Sequence, residues 1–237
     1  MPKSILIVGA ERGLGLGLAA EFFQRGWHVT GTARPGADTR DLVAVGSDNP
    51  TRLSTATIDV TDRDGIGPFL LELRERRFDV IYFNAGIYGP LHQSVTDATD
   101  AEFAEIMLTN TFGPMRLAHR LLCRLAPDGT YGFMSSHRGS TAINLEGGLE
   151  LYRASKAALN MLARGLWATN RARGTNGLTV LSIHPGWVRT AMGTLDGTVE
   201  PEMELQPSVH GVADVVERHM GSGENLYRDW QDAPLDW

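Results

Sequence analysis

The sequence predicts an α/β fold in which a doubly wound parallel sheet, formed by one domain over residues 1–237, carries helices on both faces. Short apolar runs of strand-forming residues alternate with stretches of helical apolar spacing along the chain. The 237 residues are enough for one full core, and they contain no linker, repeat or low-complexity tract. The hydrophobic content of 42% and the charged content of 21% are ordinary for a soluble globular protein.

The first half of the chain contains four short apolar runs that predict strands. These runs are Ser4–Val8, Trp27–Ala33, Leu53–Ile58 and Phe78–Phe83. The segments between them predict helices over Leu14–Arg25, over Thr39–Val45, and from Thr61-Asp62 onward. Because strands that alternate with helices are typical of parallel crossovers, these elements predict consecutive βαβ units.

The second half continues the same alternation. A long helical pattern runs from about Ala101 to Leu125, and we expect a kink or break at Gly113-Pro114 because proline lacks a backbone N–H. Two more apolar runs predict strands, over Thr130–Ser135 and Leu178–Ile183. Two more helices are predicted, over Leu151–Arg171 and Val209–His219.

Composition and charge argue against several classes of function. The net charge of −6, without a basic block, argues against a nucleic-acid partner, and no apolar run approaches the ~20 residues of a membrane span. The seven histidines lack metal-ligand spacing, so we expect no metal site. The single cysteine, Cys123, predicts a small buried hydrophobe in a reducing compartment, and the short apolar start does not resemble a signal peptide. We therefore expect a cytoplasmic protein.

A glycine-rich turn follows the first predicted strand directly. Gly9, Gly13 and Gly15 have the spacing Gly-x-x-x-Gly-x-Gly, and Leu14 lies where the first helix opens. Glycines at a strand-to-helix turn allow a tight bend and close approach of the backbone to a pyrophosphate, while the helix N-terminus offers free N–H groups to the anion. The turn predicts a dinucleotide site, although a plain strand-to-helix turn is the alternative.

The end of the second strand indicates which dinucleotide binds. It reads Thr32-Ala33-Arg34, without the acidic residue that would hold the adenosine ribose hydroxyls, and Arg12 lies inside the glycine turn. Guanidinium groups are suited to a 2′-phosphate, so Arg12 and Arg34 predict NADP(H) in preference to NAD(H). The alternative for either arginine is a solvated surface charge.

Tyr152 and Lys156 form the most informative pair in the chain. Only two of its 22 basic residues are lysines, and Lys156 stands four residues after Tyr152, on the same face of a predicted helix. A lysine ammonium is a compact charge that can sit beside a phenol and favour phenolate, whereas arginine is a planar fork that keeps its proton. The pair therefore predicts an acid/base site. The alternative is a chance pair on an exposed helix.

Seven motifs in order along nearly the whole chain resemble the short-chain dehydrogenase/reductase family. They are Gly9-x-x-x-Gly13-x-Gly15, Asp59-Val60, Asn84-Ala85-Gly86, Asn110, Ser135-Ser136, Tyr152-x-x-x-Lys156 and Pro185-Gly186. The stretches 136–140 and 152–160 look like the C-factor and sniffer-type carbonyl reductase branch. The resemblance implies a Rossmann-type fold. Two residues depart from the family pattern: Val8 replaces a threonine, and Glu11 replaces a serine or asparagine. The Glu11 carboxylate would weaken cofactor binding unless Arg12 pairs with it or it turns to solvent.

The resemblance also implies catalytic roles. Tyr152 would be the general acid and base, and Lys156, together with the oxidised nicotinamide, would lower the phenol pKa from its usual value of about 10. Lys156 would also bond the nicotinamide ribose. Ser136 would donate to the substrate oxygen, and Asn110 would anchor a proton-relay water. Ser135 and Ser140 are alternatives to Ser136, which is favoured because Gly139 aligns with the glycine that follows the family serine.

Further cofactor contacts are implied by motif position. Asp59 and Val60 would meet the adenine, and Asn84, Ala85 and Gly86 would run along the adenosine and ribose. Thr190 would bind the carboxamide, and Pro185, Gly186 and Val188, which precede it, would also contact the cofactor. Asp59 could equally be a turn or capping residue. We expect residues 191–207 to form a mobile loop over the substrate. Candidates for the substrate pocket, each of which could instead be packing, are Tyr88, Leu145, Leu149, Trp187 and Met192.

These residues together predict an NADPH-dependent reductase of a small aldehyde or ketone, reversible as an alcohol dehydrogenase. One alternative is a dinucleotide-binding signalling or regulatory protein without turnover, and another is an interaction protein with a relic fold. The complete set Asn110, Ser136, Tyr152 and Lys156 favours the enzyme. By analogy with the family, we expect a homodimer or homotetramer packed through the long helices.

Overall fold

All seven strands of the described residues belong to one sheet. The computed structural model describes residues 2–174 and 177–237, so Met1 and residues 175–176 of the predicted domain lie outside it. The strands are β1 Ser4–Val8, β2 His28–Ala33, β3 Leu53–Thr57, β4 Phe78–Phe83, β5 Leu125–Met134, β6 Thr179–His184 and β7 Asn225–Asp229. Every neighbouring pair is parallel, and the order across the sheet is β3-β2-β1-β4-β5-β6-β7. The predicted doubly wound α/β fold is confirmed.

Seven α-helices connect these strands. They are α1 Gly13–Gln24, α2 Arg40–Val45, α3 Ile66–Glu72, α4 Asp100–Met107, α5 Gly113–Leu121, α6 Glu150–Ala172 and α7 Leu205–His219. Alternate residues of each central strand face opposite sides of the sheet. Ile5 and Ile7 of β1 therefore pack with the helix pair α1 and α7, whereas Leu6 and Val8 pack with α5 and α6. Two separate apolar cores cover the two faces.

The long helix predicted over 101–125 is divided in three. α4 ends at Met107, Leu108–Phe112 form a π-helical turn, and α5 begins at Gly113. Pro114 has no N–H for the ladder of i to i−4 bonds, so the interruption next to it agrees with the predicted break. The predicted end of this helix at Leu125 was too late in the chain, because β5 already begins at Leu125. The π-helical turn carries Asn110.

Two further element predictions need correction. The third helix begins at Ile66 rather than at Thr61-Asp62, because the Asp59 carboxylate accepts bonds from the Thr61 N–H and hydroxyl at 2.8 and 2.7 Å and holds these residues in a turn. The strand β7 was not predicted. It is an edge strand in which only Tyr227 is fully buried, so it lacks the apolar pattern of the inner strands.

Cys123 is exposed, so the prediction of a buried thiol was wrong. Leu117 and Leu121 of α5 face the core, and the chain then turns through a 3-10 segment in which Cys123 points outward. Its Sγ lies 3.5 Å from the carbonyl oxygen of Arg120. Over the described ranges, no helix combines the length and the apolar character that a membrane crossing requires.

Candidate active site

A cavity of about 1190 Å³ opens at the carboxyl ends of the central strands. The strand order reverses between β1 and β4, and a crevice at this position is where open α/β sheets bind ligands. Most of the predicted site residues line this cavity: Gly9, Arg12, Gly13, Leu14, Arg34, Asp59, Val60, Asn84, Ala85, Gly86, Ser136, Tyr152, Lys156, Pro185, Gly186, Val188 and Thr190. Gly15 and Asn110 are buried behind the lining.

The glycine turn leaves space that larger residues would fill. Gly9 and Gly13 have φ angles of +85° and +56°, which are strained for other residues, and a Cβ on Gly15 would lie 1.9 Å from the Gly9 carbonyl oxygen. Helix α1 begins at Gly13, and its N-cap residue makes no side-chain capping bond. The first N–H groups of α1 are therefore available to an anion at the cavity wall, so the turn fits a pyrophosphate.

Glu11 pairs with Arg34 rather than with Arg12. The Glu11 Oε1 atom lies 3.7 Å from the Arg34 Nε atom, and both residues line the cavity. The Arg34 side chain is 60% exposed and that of Glu11 is 14% exposed, so the guanidinium extends into solvent beyond the carboxylate. Arg12 is also exposed. Two guanidinium groups and one carboxylate thus surround the mouth of the cavity beyond β2.

Two other predicted cofactor residues have structural partners. The Asp59 carboxylate is engaged in the turn with Thr61, as the turn alternative predicts, although the residue still lines the cavity. The Asn84 amide donates to the Gly9 carbonyl oxygen at 2.7 Å. This bond joins the end of β4 to the glycine turn, so Asn84 shapes the cavity floor with its side chain.

Helix α6 carries Tyr152 and Lys156 into the cavity on one face. The Lys156 ammonium is 4% exposed, donates to the Met134 carbonyl oxygen at 2.9 Å and lies 5.7 Å from the centre of the Tyr152 ring. Burial lowers the pKa of Lys156 to about 8 because it disfavours the charged form. The lysine is therefore still mostly protonated at neutral pH, beside the phenol.

Burial raises the pKa of Tyr152 to about 12, and a side-chain hydrogen bond with Ser136 opposes that shift. Tyr227 and Tyr88 add smaller upward contributions. In the protein without cofactor, loss of hydration dominates the pKa of the phenol, and the expected lowering by Lys156 together with the oxidised nicotinamide stays a prediction. The phenol is held in its protonated form.

The three candidate serines have different partners. The Ser136 side chain lowers the pKa of the Tyr152 phenol and caps the 3-10 turn His137–Gly139 by accepting from the Arg138 N–H at 3.1 Å. Ser135 donates to the Asn160 amide oxygen at 2.7 Å, and Ser140 accepts from the Ile143 N–H at 3.3 Å. Among these three serines, Ser135 and Ser136 line the cavity, and Ser136 is the one that affects the pKa of Tyr152.

Asn110 is 1% exposed and connects three parts of the site. Its amide oxygen accepts from the Ile87 N–H at 2.7 Å, and its amide nitrogen donates to the Ile87 carbonyl and the Ser155 hydroxyl at 2.8 and 3.0 Å. A Cβ on Gly86 would lie 3.1 Å from the Asn110 amide oxygen and 3.6 Å from the Lys156 Nζ atom. Asn110 thereby holds the segment after β4 against helix α6.

The segment after β6 forms the opposite wall. Gly186 has a φ of +86°, Ser208 donates to the Pro185 carbonyl at 2.6 Å, and Thr190 accepts from the Gly193 N–H at 3.0 Å. A Cβ on Gly13 would lie 3.8 Å from the Thr190 methyl group, so this wall meets the glycine turn. Arg189 pairs with Glu200 and Glu204, which joins the beginning and end of the segment over the cavity.

Four of the five candidate pocket residues line the cavity, namely Tyr88, Leu149, Trp187 and Met192. The Tyr88 ring stacks on the Tyr152 ring with 5.7 Å between centroids. Leu145 is 91% exposed and lies outside the lining, so that candidate was wrong. It belongs to a loop whose residues turn outward between 141 and 148.

Sequence reasoning missed three cavity residues beside Ser136 and Pro185, which are His137, Arg138 and His184. The His137 Nδ1 atom lies 2.8 Å from the His184 Nε2 atom. His137 and Arg138 directly follow Ser136, and His184 directly precedes Pro185, so their positions beside two family motifs could have indicated that they line the site. Their meeting was not visible, because 47 residues separate them along the chain.

Comparisons with known proteins identify the family of the chain. A model of the short chain dehydrogenase family matches residues 3–198. The C-signal protein of Myxococcus xanthus is 34% identical over 161 residues, which cover 67% of this chain and 92% of that protein. A carbonyl reductase from Pseudomonas aeruginosa PAO1, solved in complex with NADP, is 38% identical with a TM-score of 0.87 and 100% coverage of both chains. The carbonyl reductase Sniffer of D. melanogaster is 25% identical with a TM-score of 0.83, again covering 100% of both. By its sequence, its sheet and its cavity, the chain belongs to the short-chain dehydrogenase family.

Proposed function

We propose that this protein is an NADP(H)-dependent oxidoreductase that transfers a hydride between the nicotinamide and a small carbonyl or alcohol substrate. One observation carries the proposal: the hydroxyl side chains of Ser136 and Tyr152, the first of which lowers the pKa of the second, lie in the same cavity as Lys156 and the glycine turn. A pair of hydroxyls that meets beside a dinucleotide-shaped crevice can hold and protonate one carbonyl oxygen. We assign both cofactor binding and catalysis to the whole chain, residues 1–237.

The preference for NADP(H) rests on Arg12 and Arg34. Both guanidinium groups are exposed at the mouth of the cavity beyond β2, where they could pair with a 2′-phosphate. The similar carbonyl reductase from P. aeruginosa was solved with NADP. Replacing Arg34 by alanine should weaken NADPH binding at least tenfold and leave NADH binding within about twofold, whereas the same change at the exposed Arg40 should alter neither. Equal losses for both cofactors would contradict the assignment.

The side chains suit carbonyl reduction. Because burial raises the Tyr152 pKa to about 12, the phenol is protonated at neutral pH and can give its proton to the carbonyl oxygen. The Ser136 hydroxyl would donate a second hydrogen bond to that oxygen and stabilise its developing charge. Bound NADPH would supply the hydride. Lys156 places a positive charge beside the phenol and would favour the phenolate that remains after proton transfer.

We further propose that the enzyme acts in the cytoplasm as a homodimer or homotetramer. The exposed free thiol of Cys123 suits a reducing compartment. Phe112, the last residue of the π-helical turn before α5, is 58% exposed, and Met161 and Leu162 of α6 are 70% and 43% exposed. Such an apolar surface on the two long helices fits a second copy of the chain. Light scattering of the wild type and of Met161→Glu would test this, since a monomeric wild type would contradict it.

A catalytically silent signalling protein is the second candidate, and it is favoured by the relative named C-signal. The two functions differ in turnover. NADPH absorbance should be followed with a panel of aldehydes and ketones for the wild type and for Tyr152→Phe, while fluorescence measures NADPH binding. The proposed reductase requires turnover that falls about 10²- to 10⁴-fold in Tyr152→Phe with cofactor binding retained. Cofactor binding without tyrosine-dependent turnover would establish the silent protein instead.

A further inference from the structure

Two histidines meet next to the catalytic serine. His137 begins the 3-10 turn that follows Ser136, and His184 ends strand β6 just before Pro185. Their rings are nearly perpendicular, with 4.3 Å between centroids, and the His137 Nδ1 atom lies 2.8 Å from the His184 Nε2 atom. Both residues line the cavity that contains Ser136 and Tyr152. The pair therefore borders the space in which a carbonyl substrate would react.

Both imidazoles are neutral at neutral pH. Burial is the main cause that lowers the pKa of His184 to about 3, and burial together with the nearby Arg138 and Arg153 lowers the pKa of His137. The carboxylates of Glu146 and Glu202 act in the opposite direction on His137 but are weaker. A neutral imidazole carries one N–H, so the hydrogen between the rings comes from either His137 or His184.

The other nitrogen of His184 decides which ring donates. The His184 Nδ1 atom is buried and has no hydrogen-bond partner within residues 2–174 and 177–237. If His184 carried its hydrogen there, a buried N–H would lack an acceptor, and such groups are rare and costly. The His184 hydrogen is therefore on Nε2 and is donated to His137 Nδ1. His137 must then carry its own hydrogen on Nε2, the ring nitrogen left for the cavity.

We propose that His137 determines substrate specificity. Its Nε2–H, held in place by the bond from His184, donates to a second oxygen of the substrate. The enzyme therefore prefers carbonyl compounds that have a neutral acceptor oxygen beside the reactive carbonyl, such as vicinal diketones. The proposal rests on the proposed reductase function. The second oxygen would lie close to the first because Ser136, His137 and Tyr152 line the same cavity, and His137 begins the turn that Ser136 caps. We expect this second oxygen to be neutral, because the nearby guanidinium of Arg138 already pairs with Glu146 and is not free to bind an anionic substrate group.

Nitrogen-15 NMR of the ring nitrogens tests the tautomers without any turnover. At pH 7.5 both His137 and His184 should carry hydrogen on Nε2 and have an unprotonated Nδ1, with the signals assigned by comparing the wild type with His137→Gln. Hydrogen on the Nδ1 atom of His137 would overturn the proposal, because its Nε2 atom would then be an acceptor. This readout remains informative even if the proposed reductase function fails.

Kinetics test the recognition itself. Reduction of pentane-2,3-dione and of pentan-2-one by NADPH should be compared in the wild type, His137→Phe, His137→Gln and the surface control His28→Phe. His137→Phe should lower kcat/KM for the dione at least tenfold and leave that for the monoketone within about twofold. Gln retains an N–H donor, so His137→Gln should recover most of the dione activity, and His28→Phe should match the wild type because His28 is exposed on β2.

Three outcomes would overturn the inference. Equal loss for both substrates would show that His137 only supports Ser136 and Tyr152. No change for either would show that His137 does not touch the substrate. A wild type that reduces other carbonyl compounds but not the dione would show that the substrate class is wrong. Complete absence of turnover would instead refute the proposed function, and the NMR result would then decide whether His137 is a fixed donor.

Discussion

The Glu11 carboxylate lies 3.7 Å from the Arg34 guanidinium, at the mouth of the cavity where a 2′-phosphate would bind. The chain thus carries its own anion beside the group proposed to recognise the phosphate. A carboxylate there competes for Arg34 and repels the phosphate, although Arg34 is 60% exposed and solvent screens the pair. The resulting NADP(H) preference should be weaker than two guanidinium groups alone would produce.

Replacing Glu11 by glutamine should therefore strengthen NADPH binding. We expect about a three- to tenfold lower Kd for NADPH and a change of less than about twofold for NADH, because only NADPH carries the 2′-phosphate. Fluorescence titration at low ionic strength would measure both constants. Glu105 also lines the cavity, on α4, and Glu105→Gln is the matched control. A parallel change for the two cofactors would contradict the role given to Glu11.

Alcohol oxidation should accelerate with pH while carbonyl reduction stays nearly constant. In the proposed mechanism oxidation needs Tyr152 as phenolate, and because burial raises its pKa to about 12, the phenolate fraction rises about tenfold per pH unit below that value. Initial rates between pH 7 and pH 9 would show this, with a slope near one on logarithmic axes for oxidation. A nearby positive charge would lower the upper limit of the rise without reversing its sign. Oxidation rates that do not change with pH would exclude a buried phenol as the base.

Lys156→Met should stabilise the fold at neutral pH although it removes a group that we propose for catalysis. The buried ammonium has a pKa of about 8 in place of the usual 10.5, so folding carries a penalty that is complete below pH 8. Between pH 8 and 10.5 the unfolded chain binds more protons than the folded chain, and wild-type stability rises with pH. We expect the free energy of unfolding of the variant to exceed that of the wild type by about 2 kcal/mol at pH 7, once the loss of the hydrogen bond to Met134 is included. This difference should disappear near pH 10.5.

Denaturant titrations at several pH values would measure this difference. Lys3→Met, at an exposed position near the chain start, is the matched substitution and should show no such pH dependence. A variant less stable than the wild type at every pH would mean that the hydrogen bond to Met134 outweighs the burial of the charge.

Gly15→Ala should disrupt cofactor binding. A Cβ at this position would lie 1.9 Å from the Gly9 carbonyl oxygen, so the glycine turn must open. We expect a loss of about 2–3 kcal/mol in the free energy of unfolding and at least a tenfold weaker NADPH affinity. Gly67→Ala on α3 meets no atom within 4 Å and should instead stabilise the protein slightly, by helix propensity. Thermal melts and NADPH titrations of both variants would separate backbone strain from a general effect of alanine.

The order of strands and helices was largely predictable, because each depends on neighbouring residues. The apolar periods of β1 and α1 and the glycines between them act over a few positions, and the structure places all three as expected. Strand β7 was not predicted, because an edge strand needs little apolar pattern. The burial of Cys123 was wrong because local apolar neighbours do not tell which side of a turn faces the core.

The α/β architecture, the glycine turn and the common helical face of Tyr152 and Lys156 could be predicted from the order of residues alone, since periodicity and chain geometry act locally. The packing of the folded chain brings Glu11 to Arg34 and His137 to His184, and it buries Tyr152 so that the pKa of its phenol rises. These results depend on distances through space and on loss of water. Both arise only when residues far apart in the chain pack around one cavity.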